Sequence, residues 1–180
     1  MSNIALVGNG TSLIGAGLGR EIDGHDHVAR FPKTSGDTVM LETADWGLKT
    51  SAAVVTPRLL KTMPGESFPH GVGLMLYDKR SKSDAVMRLW LNMYCEIRTQ
   101  GAMHFSRGTA AMIIVSELGF TKINCYGFDN IRDANNEHYK SMFRDRAVDD
   151  TLHDYAAKHK LLGEIANHYG VEIKCLPEKK

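Results

Sequence analysis

The chain has 180 residues, 43% hydrophobic and 24% charged, proportions ordinary for a globular domain. Its 22 Lys and Arg nearly cancel its 21 Asp and Glu, leaving a net charge of +1, so no cationic footprint points to nucleic acid or a membrane surface. No apolar run reaches the roughly 18 residues of a membrane span, and Cys95, Cys125 and Cys175 are too widely spaced for a disulfide framework or a CxxC metal knuckle.

Met1-Ser2 leads straight into an apolar run, without the basic and apolar regions of a leader, and a reducing, cytoplasmic setting is expected. Residues 3–8 read as a buried strand ending in Gly. A stretch with Gly8, Gly10, Gly15, Gly17 and Gly19 follows, in which a regular helix is disfavoured. His27–Phe31 reads as a second strand stopped by Pro32, Ser51–Val55 as a third before Pro57, and Val72–Tyr77 as a fourth. Residues 33–50 are polar and carry no clear periodicity.

Ser83–Thr99 has the spacing of an amphipathic helix, with Ser83 as its N-cap. Gly108–Leu118 is an almost wholly apolar helix with Gly119 in the C′ position. Lys122–Gly127 is a fifth strand, and residues 129–147 read as a polar loop. Asp150–Tyr169 is a third helix ended by Gly170, and Val171–Cys175 a last strand. This alternation predicts an α/β fold, a single Rossmann-like domain over residues 1–180 with a mostly parallel sheet flanked by helices. Ligands of such sheets sit at the carboxyl ends of strands. Residues 8–19, Phe105–Thr109 and Gly127–Asn130 lie there.

Three motifs, two at those ends and one beyond the fifth strand, carry chemistry. Val7-Gly8-Asn9-Gly10-Thr11-Ser12-Leu13 lets a phosphate or ribose approach the backbone, or is simply a tight turn after a strand. Leu13 replaces the third glycine of the dinucleotide fingerprint, and Arg30 stands about where NAD enzymes place an acid, so a standard dinucleotide site is disfavoured. Ser106-Arg107-Gly108-Thr109 enters a helix whose first N–H groups suit an anion, although capping alone also explains it. His138 and His153 are the third motif: acid/base groups suited to neutral pH, or surface histidines. They have no third metal ligand at helpful spacing. His159 and His168 read as surface residues, and no two aspartates are separated by one residue, so a DxD metal clamp is missing.

Together these segments are more specific than any one of them. Residues 7–13, followed by the Glu-Ile-Asp-x-His-Asp-x-Val-x-Arg run from Glu21 to Arg30, resemble the long sialylmotif of glycosyltransferase family 29, the animal-type sialyltransferases. Ser106-Arg107-Gly108 through Tyr126-Gly127-Phe128 resembles the short motif, Glu137-His138-Tyr139 the third motif and His153-Asp154 the very short motif, all in family order. The resemblance implies a GT-A-like variant of the Rossmann-like fold, in a short soluble bacterial or viral member of the family. It implies inverting transfer of sialic acid or a related keto-acid sugar from a CMP-sugar donor to a glycan acceptor, with no metal or other cofactor. By the same resemblance Asn9, Gly10, Ser12, Arg30, Ser106, Gly108, Thr109, Gly127 and Phe128 are the donor-binding positions. His153 is the general base, and His138 stabilises the departing phosphate.

The chain departs from the family pattern at three places. Pro32 stands where the family has Asn, and Lys158 stands where the very short motif has Glu. The cysteine pair joining the long and short motifs is absent. The first two motivate an alternative, a non-catalytic CMP-binding module. A nicotinamide-dependent oxidoreductase, suggested by Gly8-x-Gly10 and Arg30, conflicts with Leu13.

Overall fold

The computed structural model describes residues 2–31, 43–55, 73–76, 107–129, 138–141, 144–147 and 155–176. Six strands form one parallel sheet: β1 (Asn3–Val7), β2 (His27–Arg30), β3 (Ala52–Val55), β4 (Gly73–Leu76), β5 (Lys122–Tyr126) and β8 (Glu172–Leu176), in the spatial order β4-β3-β2-β1-β5-β8. The helices among the described residues are α1 (Gly19–Asp23), α2 (Thr43–Trp46), α3 (Arg107–Glu117) and α4 (Tyr155–Tyr169). A short 3-10 turn covers Thr11–Leu13.

β1 is central, and its Ile4, Ala5, Leu6 and Val7 are all buried. That follows from a continuous apolar run in a strand covered on both faces. Its side chains alternate between two cores. Ile4 and Leu6 join Ala29, Val54, Ile123 and Cys125 under Met112, Ile113 and Val115 of α3 and Leu161 and Ile165 of α4. Ala5 and Val7 join Val28 and Tyr126 beneath Leu13, Ile22 and Trp46. Each fully buried Ile or Leu of these cores stabilises by about 1.5–3 kcal/mol.

The helix ends follow the sequence closely. α3 stops where Gly119 adopts φ 86°, and Phe120 N–H donates to Val115 O at 3.1 Å while Gly119 N–H donates to Ser116 O at 3.0 Å. This is the Schellman arrangement, for which a glycine with positive φ is suited. α4 ends in the same way at Gly170, with Val171 N–H on Ala166 O at 3.0 Å.

One reading of the chain needs correction, and one segment left without a reading is now assigned. Within residues 129–147, expected to be a loop, β6 (His138–Ser141) and β7 (Arg144–Ala147) pair antiparallel with His138 opposite Ala147. Their sequences, His-Tyr-Lys-Ser and Arg-Asp-Arg-Ala, have no apolar face, so hydrophobic patterning carried no signal for backbone pairing. Within residues 33–50, Thr43–Trp46 is helical, and it is held by contacts to α1 rather than by its own periodicity. The predicted helix Ser83–Thr99 lies outside the described residues, as do residues 150–154 at the start of the predicted last helix. No helix among the described residues is long and apolar enough to cross a membrane.

Candidate functional site

The chain runs outward from β1 through β2, β3 and β4, then returns to the other side of β1 as β5. The order therefore reverses between β1 and β5, and the crevice beyond their carboxyl ends is where open α/β sheets bind ligands. The two turns meet there. Gly8 N–H donates to Tyr126 O at 2.8 Å and Gly10 N–H to Gly127 O at 2.9 Å, continuing the ladder past both strands. A Cβ on Gly8 would lie 2.7 Å from Gly127 O, and one on Gly10 would lie 2.6 Å from the Asp129 carboxylate. The backbones cross too closely for any side chain at either position.

Asn9 sits between the glycines, and its side-chain amide donates to Phe31 O at 3.2 Å, tying the end of β1 to the end of β2. Phe31 meets Phe128 edge to face, with ring centroids 5.6 Å apart. Phe128 in turn lies against Gly108 at the start of α3, where a Cβ would fall 2.6 Å from its ring. Asn9, Gly10, Phe31, Gly108, Gly127 and Phe128 thus form one continuous chain of contacts at the carboxyl ends of β1, β2 and β5.

The backbone N–H groups of Ser12, Gly15 and Gly17 nearby already have internal partners. Ser12 N–H donates to Asp129 Oδ2 at 3.0 Å, and the Ser12 hydroxyl donates to Asp129 Oδ1. Asp129 was not a predicted site residue. Its signal was its place directly after Tyr126-Gly127-Phe128. Farther along, Gly15 and Gly17, at φ 72° and 66°, turn their N–H groups onto the buried Asp45 carboxylate at 2.6 and 2.8 Å. Successive N–H groups in such turns make an anion cradle. Here the occupant is the protein's own side chain, which satisfies a carboxylate that would otherwise be costly to bury.

The Glu21–Arg30 run is likewise framework. The Tyr126 hydroxyl donates to Glu21 at 2.8 Å, and burial followed by the Glu21 carboxylate pushes the Tyr126 phenol well above its ordinary value. Asp23 accepts from Leu48 N–H at 2.8 Å and Lys49 N–H at 2.8 Å. His25 Nδ1 lies 2.9 Å from Glu21 O, and its Nε2 lies 2.7 Å from the Asn124 amide nitrogen. Those partners assign the proton to Nδ1, leaving Nε2 to accept. Asp26 N–H donates to Asn3 Oδ1 at 2.6 Å, and Asn3 N–H returns a bond to Asp26 at 3.1 Å.

Arg30 donates through Nε to Lys49 O and Thr50 Oγ1, both at 3.0 Å, and through Nη2 to Trp46 O at 2.8 Å. Asp23 stands 3.9 Å from the same guanidinium. Burial lowers the Arg30 pKa, and Asp23 acts against it. Arg30 therefore braces α2 and the approach to β3.

Of the predicted donor positions, Asn9, Gly10, Ser12, Gly108, Gly127 and Phe128 come together at the crevice. Thr109 is buried on α3 beside Gly108. Arg30 is directed to α2 and the approach to β3. His138 opens β6. Ser106 and His153 lie outside the described residues, as do Pro32 and the Lys158 side chain. Among the described residues no three His, Cys, Asp or Glu side chains cluster to hold a metal ion.

Known proteins supply a direct comparison for this arrangement. The model of glycosyltransferase family 29 (sialyltransferase) matches residues 1–82. That stretch takes in β1 to β4, including the Gly8–Gly10 turn and the Glu21–Arg30 run, and stops before α3. Solved sialyltransferases share the fold. A mammalian sialyltransferase in complex with Gal-beta-1-3GalNAc-ortho-nitrophenol superposes with a TM-score of 0.59 at 19% identity, over 96% of this chain and 68% of that one. Sialyltransferase CstII from Campylobacter jejuni, in complex with the substrate analogue cytidine-5'-monophosphate, superposes with a TM-score of 0.51 at 14% identity, over 98% of this chain and 80% of that one. At these identities the likeness is one of fold. No curated protein sequence matches the chain.

Proposed function

We propose that the protein is a glycosyltransferase that moves sialic acid or a related acidic keto-acid sugar from a CMP-sugar donor to a glycan hydroxyl, with inversion and without a metal ion. The observation that carries this reading is the meeting of Asn9, Gly10, Gly108, Gly127 and Phe128 at the β1–β5 crevice. The same residues carry the motif resemblance. The family-29 match over residues 1–82 and the sialyltransferase folds, one of them solved with CMP, support it.

Asn9 would meet the nucleotide through its carbonyl oxygen and its second amide hydrogen, the first being given to Phe31 O. In the transfer step the acceptor oxygen attacks the anomeric carbon as the bond to the CMP phosphate breaks. His153 would take the acceptor's proton, and His138 would stabilise the phosphate that leaves. CMP is a good leaving group, so the protein's share is mainly orientation and the holding of negative charge.

The test is transfer and CMP binding by His153→Ala. Loss of a general base removes about 10²–10⁴-fold in rate, while CMP affinity should survive. Wild-type transfer by this variant would refute the base assignment. CMP binding by the parent chain without turnover on any acceptor would favour the non-catalytic module.

A further inference from the structure

Two cysteines far from each other in sequence stand side by side in the sheet. Cys125 on β5 and Cys175 on β8 are register partners in a parallel pair. Both belong to the face covered by α3 and α4, where Cys125 is fully buried and Cys175 partly buried. Both are thiols, in hydrogen-bond contact with each other. Neighbouring strands run about 4.8 Å apart, inside the roughly 4.4–6.8 Å between Cα atoms that a disulfide spans. Among the described residues β8 is an edge strand paired to β5 alone, so its opening there needs the loss of only one ladder. Neither thiol takes part in the crevice at the β1–β5 turns.

We propose that Cys125 and Cys175 are a dithiol–disulfide pair, closed by hydrogen peroxide into a covalent link between β5 and β8. The accessible partner reacts first. The Cys175 sulfur attacks one peroxide oxygen, the O–O bond breaks, and the other oxygen leaves as water, giving the sulfenic acid. Cys125 sulfur then attacks Cys175 sulfur. The S–O bond breaks, and the hydroxide leaves as water with the Cys125 proton. Two thiols and one hydrogen peroxide thus become one disulfide and two waters.

Burial and the adjoining Cys175 thiol push the Cys125 thiol well above its ordinary value. It is therefore a poor first target, and its place opposite Cys175 in the register makes it the resolving thiol. The inference stands apart from the transferase reading, since it uses neither the crevice nor a nucleotide.

The experiment uses the full chain with Cys95→Ser, so that every remaining thiol belongs to the pair. The protein is exposed to hydrogen peroxide, quenched, unfolded, and examined by thiol titration, intact mass and non-reducing electrophoresis. The expected result is joint loss of both thiols in a monomer lighter by two hydrogens, fully reversed by dithiothreitol. In a Cys125→Ala companion, Cys175 should instead accumulate added oxygen. Survival of both thiols, oxygen added to Cys175 while Cys125 still titrates, or a disulfide-linked dimer would each overturn the proposal.

Discussion

Replacing Gly10 by Ala separates space from backbone conformation as the reason for the glycine. Gly10 lies at φ −72° and ψ 147°, extended backbone open to any residue. Space is what it lacks, for an added Cβ would stand 2.5 Å from Gly127 O and 2.6 Å from the Asp129 carboxyl carbon. Restoring ordinary contact, about 3.5 Å between heavy atoms, requires the two turns to part by on the order of 1 Å. Overpacking of this kind costs about 1–3 kcal/mol. Stretching the Gly10–Gly127 hydrogen bond forfeits up to about 1 kcal/mol more. The expected loss is about 1–4 kcal/mol, or about 2–16 °C in Tm for a domain of this size.

Gly15→Ala is the comparator. Gly15 has open space around it but φ 72°, so its cost is backbone strain of about 1–2 kcal/mol. Gly10→Ala and Asp129→Ala together should cost less than the sum of the two singles, because the second removes one of the two clashes of the first. Urea unfolding followed by circular dichroism measures the four variants beside the parent. A Gly10→Ala protein within about 0.5 kcal/mol of the parent, the range of inert surface changes, would refute the close crossing of the β1 and β5 turns.

Asp45→Ala should remove about 2–4 kcal/mol of stability by stripping two N–H groups of a charged acceptor. CMP affinity should be unchanged, because the Gly15–Gly17 cradle holds Asp45 itself. A variant of parental stability in urea unfolding would contradict that role. Tyr126 predicts an alkaline limb of stability. Its folded pKa is raised above the unfolded value of about 10, so its contribution is complete below that pH. It is lost as pH rises further, because the unfolded state releases the proton first. Tyr126→Phe should be less stable near neutral pH, and its unfolding free energy should fall less steeply between about pH 9 and 11. Parallel profiles for the two proteins would exclude the effect.

Much of the scaffold was legible because the relevant signals are local. The apolar runs of β1 and β5 reported strands buried on both faces, and Gly119 and Gly170 marked helix ends through the positive φ that those ends adopt. The turns at Gly8–Gly10 and Gly127–Phe128 were legible as places suited to a ligand approaching backbone. That they meet each other was not, because their contact depends on strand order.

The roles of the acidic residues were illegible for a similar reason. Asp45 serves Gly15 and Gly17 across about thirty residues, and Asp129 serves Ser12 across 117. No periodicity encodes such partners. The Glu21–Arg30 run announced a family resemblance, but its labour is internal. It fastens α1 and the turn after it to β5 through Tyr126 and Asn124, and α1 and β2 to α2 and the residues after it through Leu48 and Trp46. The β6–β7 hairpin stayed hidden because its residues pair through backbone and offer no apolar stripe.

Calorimetric titration with CMP in EDTA, beside UMP, AMP and NADPH, tests the central claim most directly. The account predicts selective CMP binding that needs no metal and weakens in Gly10→Ala, where the β1 and β5 turns are forced apart. Absence of CMP binding, or a preference for NADPH, would contradict a CMP-sugar site at the β1–β5 crevice.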